Sequence, residues 1–178
     1  MSRDAVFKVC IFGDGGVGKT ALTQRYVTGL FKGDETMTIG MDFHLKYLKV
    51  GGLKVALQIW DFAGEARFRF LLPNYVKGAS GGLFMYDITR YSSLKNLDDW
   101  LTVFKQGFDS PVIPVPIIMI GGKIDLADKR AVLGSDAKEL AESRGLHSYI
   151  ECSAKTGENV EEIFSRITHT MMKNSGLL

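Results

Sequence analysis

Cysteine is nearly absent: the 178 residues hold two, Cys10 and Cys152. Two thiols cannot build the disulfide framework of a small secreted domain. Both fall in runs that read as core strands, where a free thiol behaves as a small hydrophobe. The expectation is a reduced pair in a cytoplasmic protein. No apolar run approaches the roughly 18 residues of a membrane span, and no leader-like segment opens the chain. Ser2 stands where a myristoylated chain needs glycine, and residues 174–178 carry no cysteine for prenylation, so these 178 residues are expected to carry no lipid anchor, and membrane association is left to a missing tail or a partner. Charge of one sign is missing too. Acids and bases are interspersed and the net charge is +2, which implies neither nucleic acid nor a membrane surface as an electrostatic partner. Repeats, low-complexity tracts and interdomain linkers are absent. The length suits one domain over residues 1–178, with a core large enough to need no metal or disulfide staple.

What the chain does have is Gly13-Asp14-Gly15-Gly16-Val17-Gly18-Lys19-Thr20, a match to G-x-x-x-x-G-K-[ST]. Glycines let the backbone wrap a phosphate closely, and successive N–H groups then form an anion-binding nest at the positive end of the following helix. Lys19 is placed to reach the β- and γ-phosphates, and the Thr20 hydroxyl to ligate Mg²⁺. The flanks fit: Val6 to Phe12 is a short apolar strand-like run, and Leu22, Tyr26 and Leu30 lie at i, i+4 and i+8 of one helix face.

Strand-like and helix-like segments alternate along the rest of the chain. Residues 41–50 and 53–61 read as strands joined across Gly51-Gly52, a hairpin turn, and 82–87, 115–120 and 149–152 as further strands. Leu94, Leu97, Leu101 and Phe104 mark one helix. Another is expected from Ser135 as N-cap, and Asn159 with Glu162 is placed like a capping box before a helix carrying Val160, Ile163, Phe164, Ile167 and Met171. The fold class is α/β: a doubly wound, six-stranded, mostly parallel sheet with one antiparallel edge strand and five helices. In such sheets ligands bind beyond the carboxyl ends of the strands. Every remaining motif falls on that edge.

Asp61 ends the third strand opposite the P-loop, the expected place for a Mg²⁺ partner acting through water, and Gly64 lets its backbone N–H approach a terminal phosphate. Asp125, in Gly122-Lys123-Ile124-Asp125, can accept two hydrogen bonds from a guanine edge. The Lys123 stem can lie over the purine, and Ser153-Ala154-Lys155 can offer N–H groups to the base oxygen. Phe31 can stack edge-on.

These motifs, with Thr38, resemble in order and spacing the Ras-like small GTPases, over essentially the whole chain. Ile39 to Phe43, Leu57 to Asp61 and Tyr86 to Thr89 are most similar to segments of the Rab family, and Phe43, Trp60 and Tyr75 match the aromatic triad of that family's partner surface. The resemblance implies a GTP- and GDP-binding molecular switch for vesicle trafficking or signalling, monomeric, that uses Mg²⁺. Gly15, Gly16, Val17, Gly18, Lys19, Thr20 and Ala21 would hold the phosphates, Thr20, Thr38 and Asp61 the metal, and Lys19, Thr38 and residue 65 the catalytic positions. Residues 32–42 and 62–76 would order with GTP and meet effectors, exchange factors and activating proteins.

Four positions depart from the family pattern. Glu65 stands where a glutamine orients the attacking water. A carboxylate about 4 Å from phosphate charge is repelled by ~4 kcal/mol at an effective dielectric near 20. Either Glu65 swings away, or it holds a proton, or it serves as base; the first two mean slow hydrolysis. Arg67 and Arg69 lie near enough in sequence to act in cis, although solvated surface arginines are the expectation. Gly122 replaces an asparagine that braces the base loop, which predicts weaker nucleotide binding. Met37 replaces a proline, and the prenylated tail is missing. Two alternatives stay open: a GTP-loaded binding module with negligible turnover, and an ATP-using P-loop enzyme, for which no acceptor lid is visible.

Overall fold

The computed structural model describes residues 4–33 and 37–178. Six strands form one sheet: β1 (Ala5–Phe12), β2 (Met41–Val50), β3 (Leu53–Phe62), β4 (Gly81–Asp87), β5 (Ile117–Gly122) and β6 (Ser148–Glu151), in the order β2-β3-β1-β4-β5-β6. Among the described residues only the β2–β3 pair is antiparallel, and its register runs from Met41 opposite Phe62 to Val50 opposite Leu53. Six α-helices accompany it: α1 (Lys19–Thr28), α2 (Leu72–Val76), α3 (Tyr91–Lys95), α4 (Leu97–Lys105), α5 (Gly134–Ser143) and α6 (Val160–Asn174). Short 3-10 segments at Ala66–Leu71 and Ile124–Lys129 complete the element order. Among the described residues no helix is long and apolar enough to cross a membrane.

Period-two alternation along β1 sends its side chains to two cores. Val9 and Ile11 pack under α1 and α6, where Tyr26 stacks on Phe164 with ring centroids 3.9 Å apart. Cys10 and Phe12 face α2, α4 and α5, where Phe12 lies 4.7 Å from Phe104 and 6.2 Å from Trp100. The two cysteines are buried and reduced in these opposite cores, and burial pushes both thiols up to about 12.

Five local expectations are corrected. The helix expected over Leu94 to Phe104 is two, α3 and α4, divided at Asn96, whose side-chain amide donates to the Asp14 carboxylate at 2.8 Å; hence six α-helices rather than five. Helix α1 stops at Thr28 because Gly29 turns left-handed and its amide caps the Arg25 carbonyl, so Leu30 is exposed rather than on a helix face. Helix α5 starts at Gly134, leaving Ser135 inside the first turn with Leu133 as N-cap. Asn159 adopts a left-handed φ of 61° and donates to the Glu151 carbonyl at 2.8 Å, while Glu162 pairs with Arg166; no capping box forms. The fifth strand begins at Ile117, beyond Val115, since the proline at 116 has no N–H for the ladder.

Candidate nucleotide-binding site

Strand β1 delivers the chain to Gly13, where φ is 144° and a Cβ would sit 2.2 Å from the Met85 carbonyl oxygen; only glycine passes here. At Gly18 the backbone is left-handed (φ 104°) and becomes the N-cap of α1, so the loop ends on the positive end of a helix. Lys19 is buried. Its ammonium donates to the carbonyls of Gly13 and Asp14, both at 2.8 Å, and burial lowers its pKa to about 8 against the pull of Asp61 and Asp14.

The loop is held from outside by residues that sequence reasoning did not single out. The Asp14 carboxylate accepts from Asn96 and from the Trp100 indole, both at 2.8 Å, and Arg90 donates to the Gly15 carbonyl at 2.7 Å. The offsets between these partners exceed 70 residues, so no local pattern signals them. Arg69 is another surprise. It lies over the Trp100 ring at 4.5 Å and near Asp14 at 3.8 Å, a packed arginine rather than a solvated one.

A cavity of about 290 Å³ opens above the loop. Gly15, Gly16, Gly18, Lys19, Thr20, Ala21, Phe31, Thr38, Gly64 and Lys123 line it, together with Gly33 and Met37. Val17 is not in the lining: its side chain is buried in the core under α1. Asp125, Ser153, Ala154 and Lys155 lie outside the lining as well. They form a neighbouring cluster in which the Ser153 hydroxyl donates to Asp125 at 2.8 Å and the Ile124 amide to the Cys152 carbonyl. Lys123, with a left-handed φ of 69°, connects the two, donating to the Gly16 carbonyl at 2.8 Å and pairing with Asp87 at 3.0 Å. Burial raises the Asp87 carboxyl, but the Thr89 hydrogen bonds and the Lys123 ammonium hold it below the usual range. Behind this cluster Arg130 grips Glu151 at 2.7 and 2.9 Å and Tyr149 donates to the same carboxylate. The Arg130 hydrogen bond, chiefly, lowers the Glu151 pKa.

At the floor, the Thr20 hydroxyl donates to Asp61 at 2.5 Å and lies 2.8 Å from the Thr38 hydroxyl. Asp61 is fully buried, its second oxygen has no partner among the described residues, and burial raises its pKa despite the Thr20 bond. Two hydroxyls and a carboxylate with one idle oxygen form a hard, all-oxygen donor set, which fits Mg²⁺. Residues 34–36, inside the switch stretch expected over 32–42, lie outside the described residues.

Two further expectations take a specific form. The Glu65 carboxylate is bound by the Arg67 guanidinium at 2.5 Å, and Arg67 also lies 4.6 Å from the Phe68 ring. Gly64 packs on the P-loop itself: a Cβ there would meet the Gly15 amide nitrogen at 2.1 Å.

A mostly parallel sheet with a glycine-wrapped lysine beyond the end of its first strand, and a corner of hydroxyl and carboxylate oxygens beside it, has the form of a P-loop nucleotide-binding domain. The family model of the Ras family matches residues 8–173, and the chain belongs to that family. It is 42% identical to human Ras-related protein Rab-30 over 161 residues, covering 90% of this chain and 77% of that protein. It is 38% identical to Xenopus laevis Ras-related protein Rab-19 over 161 residues (90% and 74%), and 36% identical to human Rab-19 over 174 residues (98% and 79%). The protein is thus a Rab-like small GTPase: a GTP-binding molecular switch of a family that uses guanine nucleotide and Mg²⁺ and acts through effector, exchange-factor and activating proteins.

Proposed function

We propose that the chain is a monomeric, single-domain, guanine-selective switch that hydrolyses GTP slowly on its own and works in vesicle traffic. Water attacks the γ-phosphorus in line, the bond to the β-phosphate oxygen breaks, and GDP and phosphate leave. Lys19 and the amides of Gly15 to Ala21 hold the charge of the β- and γ-phosphates, with the Gly64 amide at the terminal phosphate. Thr20, Thr38 and Asp61 hold Mg²⁺, which when bound neutralises charge on the phosphate oxygens. Asp125 reads the guanine edge, Ser153, Ala154 and Lys155 meet its oxygen, Lys123 covers one face and Phe31 the other side.

The observation that carries slow turnover is the Glu65–Arg67 pair: an arginine occupies the carboxylate that would otherwise orient or activate water. In single-turnover assays of phosphate release with Mg²⁺, Glu65→Gln is expected to speed hydrolysis by roughly a hundredfold, the lower end of what a well-positioned proton-transfer group contributes. A fall in rate would instead make Glu65 the base. No release at all from GTP-loaded wild-type protein favours the second reading, a GTP-binding module that signals by occupancy. For the base pocket, Asp125→Asn is expected to cost about a hundredfold in GTP affinity and to favour xanthosine triphosphate, whose 2-oxygen accepts the amide hydrogen. Unchanged nucleotide preference in a competition titration would remove Asp125 from that role.

Residues 32–42 and 62–76 with Phe43, Trp60 and Tyr75 form the proposed partner surface. The support is a continuous aromatic row: Phe43 lies 5.3 Å from Trp60, Trp60 lies 6.0 Å from Tyr75, and Phe43 is 46% exposed.

A further inference from the structure

Met85, in the middle of β4, is 1% exposed, and three glycines close on it. The Cβ that Gly13 lacks would lie 2.2 Å from the Met85 carbonyl oxygen, the one Gly122 lacks 2.4 Å from its terminal methyl, and the one Gly18 lacks 3.4 Å from that same methyl. Gly13 and Gly18 open and close the phosphate loop, and Gly122 opens the loop that carries Asp125. The Gly122 Cβ position is also 3.3 Å from the Val17 carbonyl oxygen, so the two loops approach backbone to backbone there. One methyl group fills the space where a side chain at 122 would run. The polar tie between the loops is the Lys123 ammonium on the Gly16 carbonyl.

We infer that Met85 is a positioning residue for nucleotide binding: its methyl wedges the phosphate loop against the base loop, and Gly122 is glycine because that wedge occupies its side-chain space. The inference rests on the nucleotide reading above, in which one ligand bridges both loops. Dispersion contacts are non-directional and individually small, so a methyl wedge fixes the spacing of the loops without locking their orientation. An amide at 122 could hydrogen-bond the Val17 carbonyl and lock both, but only with the methyl removed. Met85 and Gly122 are therefore one unit, and together they set a short nucleotide residence time.

The test is a double-mutant cycle on the dissociation rate of a fluorescent GDP analogue chased with unlabelled GDP, with unfolding temperatures of the nucleotide-free proteins measured alongside. Met85→Ala and Gly122→Asn are each expected to speed dissociation at least fivefold, the first by removing the wedge and the second by displacing it. The pair Met85→Ala/Gly122→Asn is expected to release nucleotide more slowly than either single variant and more slowly than the wild type, which a merely structural role for Met85 would not produce. Multiplicative effects, or slower release by Gly122→Asn with Met85 in place, overturn the inference. If Gly122→Asn does not fold, Gly122→Ala displaces the methyl by its Cβ alone and must still accelerate release. Should the wild type bind no guanine nucleotide, the nucleotide reading falls separately. The wedge is then judged by the unfolding temperatures, where additivity overturns it.

Discussion

Lys19→Ala is expected to weaken GTP and GDP binding by more than a hundredfold while leaving the empty protein folded. The ammonium is buried and held by the carbonyls of Gly13 and Asp14 at 2.8 Å, so it already stands at the mouth of the phosphate nest. Charge-assisted hydrogen bonds to phosphate contribute roughly 1.5–3 kcal/mol each, and losing two amounts to about two to four orders of magnitude in affinity. Calorimetric titration measures it directly. The same group gives a pH signature. Burial puts the folded-state pKa near 8, below the unfolded value of 10.5. The unfolded chain therefore binds more protons between those values, and the nucleotide-free protein gains stability as pH rises from about 8 to 10.5. Below pH 8 the full cost of the buried cation is present. Phosphate stabilises the ammonium, so binding takes up a proton and affinity falls as pH climbs above about 8. A flat affinity between pH 7 and 9 would show that Lys19 does not meet phosphate. In Lys19→Ala both slopes are expected to vanish.

Gly64→Ala is expected to lower single-turnover hydrolysis at least a hundredfold and to leave GDP affinity within about threefold of wild type. The added methyl would lie 2.1 Å from the Gly15 nitrogen, 2.3 Å from the Asp14 carbonyl carbon and 2.5 Å from the Gly15 Cα. All three are backbone atoms of a loop pinned by Lys19, Asn96, Trp100 and Arg90, so the loop cannot yield. The segment from residue 62 onward must lift instead, carrying the Gly64 amide and Glu65 away from the position of a terminal phosphate. GDP lacks that phosphate and feels the change little. Wild-type turnover in Gly64→Ala would remove this segment from the chemistry.

Most of the residues that line the cavity are ones the sequence pattern singles out, because a glycine-rich loop with a lysine at fixed local spacing is a local signal. The β2–β3 hairpin was legible almost to the residue: runs 41–50 and 53–61 become Met41–Val50 and Leu53–Phe62. What escaped is the support. Asp14 is a P-loop filler by motif, yet it is the acceptor that fixes α4 to the loop. Asn96 divides a helix whose apolar spacing runs straight through it. Arg69 reads as solvated until Trp100, 31 positions on, is placed beneath it. Asn159 gives up N-cap geometry for a bond to the Glu151 carbonyl. In each case a tertiary partner outweighed a local preference worth about 1 kcal/mol.

The placement of the two cysteines has a practical consequence for spectroscopy. Each thiol is fully buried, in a different core, and burial pushes both up to about 12, so neither is expected to react with maleimide or methanethiosulfonate probes, which a thiol titration of the folded protein checks. Over these 178 residues the two thiols are thus expected to give little background in site-specific labelling. A single cysteine at Ile39, 77% exposed, or at Phe70, 71% exposed, would carry a dye or spin label within one or the other proposed switch segment. The proposed nucleotide cycle could then be followed in real time without replacing Cys10 or Cys152.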